Sequence, residues 1–191
     1  MTTKTSVTDA EIVRLLQNGA IGILPTDTVY GIVARAADSG AVARLYAAKH
    51  REGKPGTIIA ASIDQLISLG LQAMHLPEAA RLWPGPLSIV LPDNPELAYL
   101  DQGKQSLAVR VPADKAIHEL LLQTGPLLTS SANMPGEPTA TTLDEARAYF
   151  GDTVDFYVDG GSIEQSIAST LIRVSEAGAV EVLRPGPIKV N

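Results

Sequence analysis

Two apolar runs, each stopped by small hydroxyl and amide side chains, constrain this chain more than any other feature. Ala20-Ile21-Gly22-Ile23-Leu24 runs into Pro25-Thr26-Asp27-Thr28, and Leu127-Leu128 runs into Thr129-Ser130-Ser131-Ala132-Asn133. A short, unbroken apolar run reads as a strand buried in a sheet. A strand ending in hydroxyls opens into a polar pocket at the sheet's edge, where open α/β sheets bind ligands. Between the two lies Lys49-His50-Arg51-Glu52-Gly53-Lys54, the one basic cluster of a chain whose formal net charge is −6. Hydroxyl donors with a basic cluster describe a site for an anion, with phosphate the first candidate.

The remaining pattern alternates helix and strand, which makes the fold class α/β with helices flanking a sheet. Thr8 and Glu11 form a capping box for a helix ending near Asn18-Gly19. Asp38 or Ser39 caps a second helix through about Lys49, in which Val42, Leu45, Tyr46 and Lys49 share one face. Lys49 therefore ends an apolar stripe, where a solvated lysine would sit on the opposite side. Thr57 to Ala61 reads as a strand, with Ser62 and Gln65 capping a short helix after it. Pro77 opens a helix that Pro84-Gly85-Pro86 stops. Leu87 to Leu91 and Leu107 to Val111 read as strands, and a helix follows through Leu122. Thr142 and Glu145 cap a helix to Phe150, Val154 to Val158 is a strand, and Leu171–Val174 with Val180–Leu183 form a hairpin. With no repeat, linker or low-complexity segment, the expectation is one domain over residues 1–191.

Composition narrows the chemistry. The chain has no cysteine, which excludes disulfides and thiolate chemistry, and His50, His75 and His118 show no metal-ligand spacing. No apolar run approaches the ~18 residues that cross a bilayer, and the first nine residues lack a signal peptide's apolar core, so a cytoplasmic setting is expected. A net charge of −6 argues against a broad grip on nucleic acid while leaving room for a local pocket that takes one nucleotide. There is no G-x-x-x-x-G-K-[ST] loop, no G-x-G-x-x-G and no G-x-S-x-G elbow. Any nucleotide is held by a different device, and neither Ser130 nor Ser131 reads as an acyl nucleophile.

Each motif also has a structural explanation. Ser131-Ala132-Asn133 before Pro135-Gly136 suits a turn, and Lys49-His50-Arg51 suits a solvated helix end. Their order along the chain is the informative part. It resembles the YrdC family, the threonylcarbamoyl-AMP synthases of tRNA modification. The resemblance is carried by Pro25-Thr26-Asp27-Thr28-Val29-Tyr30-Gly31, the K-x-R unit Lys49-His50-Arg51, and Trp83-Pro84-Gly85-Pro86-Leu87. It continues through Ser106-Leu107-Ala108-Val109-Arg110-Val111-Pro112, the S-x-N unit Ser131-Ala132-Asn133, Ser169-Thr170 and Arg184-Pro185-Gly186.

The resemblance implies a twisted, mixed, largely parallel sheet with a concave positive site, and, with the chain ending at Asn191, the single-domain form. It implies L-threonine, bicarbonate and ATP as substrates, magnesium accompanying ATP, and tRNA with downstream modification proteins as further partners; no protein-held metal is expected. Thr28, Arg110, Thr129 and Ser169 are then expected around L-threonine. Arg51, Lys54, Ser106, Ser131, Asn133, Thr139 and Arg184 are expected around ATP, with Lys49 between the reacting groups and Lys49 and Arg51 catalytic. Two stretches depart from the family pattern. Glu52-Gly53-Lys54-Pro55-Gly56 is one residue short, and Ser166-Ile167-Ala168 with Arg173 differ at the C-terminal wall. Two alternatives stand beside this reading: a non-catalytic RNA-binding module, and carbamoyl-adenylate chemistry with another acceptor.

Overall fold

Neighbouring residues on the central strands enter opposite hydrophobic cores. Ile23, Ile32, Ile58, Leu128 and Tyr157 join one cluster, whereas their neighbours Leu24, Val33, Ile59, Leu127 and Phe156 join the other. This period-two alternation is why the apolar runs are continuous: both faces of the sheet are covered at these positions. The structure, a computed structural model, describes residues 2–72, 76, 78–163, 167–175 and 179–190. The strands are β1 (Thr2–Lys4), β2 (Gly22–Pro25), β3 (Tyr30–Arg35), β4 (Thr57–Ile59), β5 (Leu87–Pro92), β6 (Ser106–Arg110), β7 (Leu127–Ser131), β8 (Phe156–Val158), β9 (Thr170–Val174) and β10 (Val180–Arg184). The helices are α1 (Ala10–Gln17), α2 (Ser39–Ala48), α3 (Ile63–Leu69), α4 (Ala98–Asp101), α5 (Lys115–Thr124) and α6 (Leu143–Phe150).

All ten strands form one sheet in the order β1-β8-β2-β3-β7-β4-β6-β5-β9-β10. It is mixed rather than largely parallel. β1/β8, β8/β2, β4/β6 and β5/β9 run parallel, while β2/β3, β3/β7, β7/β4, β6/β5 and β9/β10 run antiparallel. Short links account for the β2/β3 and β9/β10 pairs, since a parallel pair needs a long crossover, whereas β7 runs antiparallel to both of its neighbours, β3 and β4, which are distant in sequence. Thr26 to Val29 is the whole connection between β2 and β3, and it makes an antiparallel hairpin.

Local chemistry places most helix starts as expected. Asp38 Oδ1 accepts from the Ala41 amide at 2.9 Å to cap α2, and the hydroxyls of Ser62 and Thr142 accept from Gln65 and Glu145 amides at 3.3 Å each. The capping box expected for α1 is not formed. Asp9 caps that helix by accepting from the Glu11 amide at 2.9 Å, and the Thr8 amide donates to Ser6 Oγ instead. Asp9 sits directly before Ala10, so it outcompetes the more distant threonine. Glu11 is then free to reach Lys4 at 2.9 Å and accept from Thr2 at 3.1 Å, which ties the polar strand β1 down. Before Trp83 the structure has a 3₁₀ turn, Glu78–Leu82, and Pro77 lies outside the described residues.

Helix cover is uneven. One face of the sheet carries α2, α4 and α6, with Val42, Leu45, Leu100, Ala146 and Phe150 in its core. The other face carries α1 and α5, which pack Ile12, Leu16, Ile117 and Leu121 over only part of the strands. On β7 and β4, Leu127 pairs with Ile59 beneath that cover, while Thr129 pairs with Thr57 beyond it. The exposed remainder of this face is where the site forms.

Candidate active site

A cleft of about 340 Å³ opens on the part of the sheet that α1 and α5 leave uncovered. Its first wall is the β2–β3 hairpin. The Thr26 hydroxyl donates to Val29 O at 2.7 Å and accepts from the Val29 amide at 3.2 Å, locking the four-residue turn. That turn presents Thr26, Thr28 and Val29 to the cleft. Asp27 faces away from it, accepting from Arg110 Nη2 at 2.7 Å. Behind the turn, Gly31 allows β3 to lie against β7: a Cβ there would sit 2.7 Å from the Thr129 hydroxyl.

The second wall comes from the end of α2. Val42, Leu45 and Tyr46 bury the helix's inner face, and Lys49, only 3% exposed, continues it. Its ammonium donates to Ser131 O (2.6 Å), Asn133 O (2.5 Å) and Asn133 Oδ1 (2.9 Å), so each of its three protons has an acceptor. No carboxylate is among them. Burial, and then the neighbouring Arg51 guanidinium, bring Lys49 down to about 8. The helix ends with His50 in the left-handed region at φ 47°, where the amides of His50 and Arg51 bond back to the Ala47 and Tyr46 carbonyls. This turn carries Arg51 onto the cleft.

Arg51 donates to Ser130 Oγ at 2.6 Å, to Pro55 O at 3.0 Å and to Lys54 O. Burial lowers its guanidinium from the ordinary value. Tyr46 steadies the far end of this loop, donating to Leu100 O at 2.6 Å and accepting from the Gly56 amide at 3.2 Å. The Lys54 side chain is exposed and off the cleft lining; its carbonyl is the part that contributes.

The floor is the end of β7. Thr129 and Ser131 line the cleft, with Thr139 beside them. Ser131 Oγ donates to Asn133 Oδ1 at 2.7 Å, and Asn133 Nδ2 donates to Glu137 O at 2.6 Å. Asn133 thus joins Lys49 behind the wall, and the K-x-R and S-x-N units meet as one hydrogen-bonded cluster. Across the cleft, Ser169 is buried and shares a 2.8 Å hydrogen bond with Ser88. Arg184 donates to Ser169 O at 2.9 and 3.1 Å and to its hydroxyl at 3.1 Å. Gly186 fits close beneath: a Cβ would lie 2.4 Å from the Thr170 amide. Of the departing segment, Ala168 lines the cleft and Ser166 lies outside the described residues.

Thr28, Arg51, Arg110, Thr129, Ser131, Thr139, Ser169 and Arg184 therefore come together on one lining. Lys49 and Asn133 stand directly behind it, while Ser106, whose hydroxyl donates to Lys104 O at 3.3 Å, and Lys54 stand off it. Sequence reasoning missed three participants: Asp27, Ser130 as the partner of Arg51, and Ser88 as the partner of Ser169. A carboxylate set between two cleft threonines was a usable signal for Asp27; Ser88 inside an apolar strand offered none. Three guanidiniums and a bed of hydroxyls, with no carboxylate among the described residues of the lining, make a place where anions are brought together and desolvated.

Such a half-covered α/β sheet with three arginines on its open face defines a binder of small anionic ligands. The chain belongs to the Sua5/YciO/YrdC family, described as "Telomere recombination", which it matches over residues 14–186. A Mycobacterium leprae protein provisionally named threonylcarbamoyl-AMP synthase is 37% identical over 188 residues, 95% of this chain and 84% of its own length. The threonylcarbamoyl-AMP synthase of Pyrococcus abyssi is 36% identical over 184 residues, and this chain spans 53% of its length. Among solved structures, P. abyssi Sua5 complexed with L-threonine superposes with a TM-score of 0.83 at 31% identity, covering 97% of this chain and 57% of that one. Escherichia coli YciO shares the fold, with a TM-score of 0.78 at 21% identity. Among the described residues no helix is long and apolar enough to cross a membrane.

Proposed function

We infer that this chain is a threonylcarbamoyl-AMP synthase, a nucleotidyltransferase that makes threonylcarbamoyl-AMP and pyrophosphate from L-threonine, bicarbonate and ATP. The observation that carries this reading is the convergence of Arg51, Arg110 and Arg184 with the hydroxyls of Thr28, Thr129, Ser131 and Ser169 on one cleft. The similarity to synthases of that name supports it.

In this reading Arg110 takes the amino acid's carboxylate, and Thr28, Thr129 and Ser169 surround the rest of it. The amine, as the free base, attacks the carbon of bicarbonate; water leaves and a carbamate anion forms. A carbamate oxygen then attacks the α-phosphorus of ATP, the bond to the β-phosphate's bridging oxygen breaks, and pyrophosphate departs. Arg51 and Arg184 neutralise the phosphates, with Thr139 donating to them and Ser131 turning its one hydroxyl proton from Asn133 Oδ1 to a phosphate oxygen, so two anions meet at low electrostatic cost. Lys49 acts one layer back, holding the Ser131–Asn133 segment in place through its three donated bonds. No covalent intermediate on the enzyme is required.

Among the described residues no group of three or more His, Cys, Asp or Glu is placed to hold a metal, and the cleft lining supplies no carboxylate. In this reading magnesium would arrive on the triphosphate, held by phosphate oxygens and water. The product, a mixed anhydride, is an activated acyl donor that a tRNA-modifying transferase would consume. Incubation with ATP, L-threonine, bicarbonate and magnesium, with assay of pyrophosphate and mass spectrometry of the adenylate, tests the reading. Absence of threonine-dependent pyrophosphate overturns it.

A further inference from the structure

Arg110 and Asp27 form the most deeply buried ion pair among the described residues. Their side chains are 4% and 6% exposed, and Arg110 Nη2 donates to Asp27 Oδ1 at 2.7 Å. The pair spans the cleft's foundation, joining the end of β6 to the β2–β3 turn. Arg110 lines the cleft; Asp27 does not. Arg110 Nε is buried and has no hydrogen-bond partner. Arg110 thus presents to the cleft a guanidinium already fixed on a carboxylate at Nη2, and a fixed guanidinium is the donor geometry that a carboxylate ligand matches.

We propose that Asp27 is the positioning residue of the amino-acid subsite: it pins Arg110 from behind and, through the same bond, sets the turn that presents Thr28 and Val29. This rests on the reading of Arg110 as the carboxylate partner. Asp27 bonds to neither Arg51, Arg184 nor Ser131, so the nucleotide half of the cleft is built without it. Its loss is therefore felt by one substrate and hardly by the other. A side chain that merely stabilised the fold would weaken both.

Calorimetric titration of Asp27→Ala and Asp27→Asn with L-threonine and with a non-hydrolysable ATP analogue tests this. Asp27→Ala is expected to weaken L-threonine binding roughly 10- to 100-fold while the ATP analogue stays within about 3-fold. Asp27→Asn keeps an acceptor for Nη2 and is expected to restore L-threonine to within about 5-fold of wild type. Equal weakening of both ligands, unchanged L-threonine affinity in Asp27→Ala, or failure of asparagine to rescue each overturns the proposal. If the alanine variant does not fold, Asp27→Glu decides: it keeps the charge pair but displaces the guanidinium by one methylene, and is expected to weaken L-threonine alone by about 10-fold. An unaltered affinity in that variant overturns the proposal. Wild-type protein that binds no L-threonine overturns the functional reading together with this one, whereas wild-type binding with unaffected variants overturns this one alone.

Discussion

The same strands build two different environments on one face of the sheet. Under α1 and α5, β7 and β4 contribute Leu127 and Ile59 to a dry core; two residues along each strand, Thr129 and Thr57 line the cleft. The backbone ladder is continuous across the boundary, so the site inherits the rigidity of the core without any loop between them. What changes is only the residue type at alternate positions and whether a helix lies overhead. The lesson is that the covered half holds the strands in place and the open half uses their placement.

The largest effect is expected where the open half concentrates charge. Arg51→Ala should lower threonine-dependent pyrophosphate release by about 100- to 1000-fold, the usual cost of removing one electrostatic stabiliser, with melting close to wild type. Near-normal turnover would return Arg51 to a role in loop structure, through its bonds to Lys54 and Pro55. The comparison itself is sharpened by Leu127→Ala against Thr129→Ala. The first should cost about 2–5 kcal/mol in urea unfolding, as cavities in packed cores do. The second should cost under about 1 kcal/mol and show itself in the KM for L-threonine. Similar destabilisation by both would erase the distinction between the halves.

Ser131→Ala should slow turnover about 10- to 100-fold, the loss of one hydrogen bond to a charged group. Mass spectrometry during turnover should find the peptide containing Ser131 unmodified; an acyl or adenylyl adduct would make it a nucleophile. A further effect is electrostatic. Lys49 is held at about 8 against an ordinary 10.5, so between those values the unfolded chain keeps a proton that the folded chain has released. Stability of wild type relative to Lys49→Met should therefore rise as pH climbs from about 8 toward 10.5. A flat or falling difference would show that the three acceptors around the ammonium outweigh its burial.

Much of this was legible in the sequence because it is local. Lys49 on the apolar stripe of α2 marked it as inward-facing, and it is buried. The caps at Asp38, Ser62 and Thr142 lie within three residues of their partners. What escaped is non-local or masked by neighbouring chemistry. β3 begins inside the Tyr30-Gly31 end of a motif that draws attention to its polar side chains, so its strand character was hidden. β1 is three polar residues whose strand partner, β8, lies more than 150 positions away. The sheet is mixed as expected, but the balance between parallel and antiparallel pairs could not be read, because alternation of helix and strand does not say which strands end up side by side. Asp27 and Arg110 are 83 residues apart, Lys49 and Ser131 82, Arg51 and Ser130 79, and Ser88 and Ser169 81, and no periodicity reports such meetings. Eight of the residues that the family resemblance implies line the cleft, whereas Lys49 and Asn133 lie behind its surface and Ser106 and Lys54 off it.

The left-handed turn at His50 has a consequence for how this chain can vary. It is the hinge of backbone that lets Lys49 point inward and Arg51 reach the cleft from adjacent positions, yet the imidazole itself makes none of the described hydrogen bonds. The filter at that position is a dihedral angle. In a saturation library scored by growth or turnover, position 50 should admit glycine, asparagine and aspartate and purge valine and isoleucine, whose branched Cβ resists a positive φ. Its two neighbours should admit almost nothing. A tolerant site framed by two intolerant ones would be the genetic trace of a helix that ends in a Schellman turn.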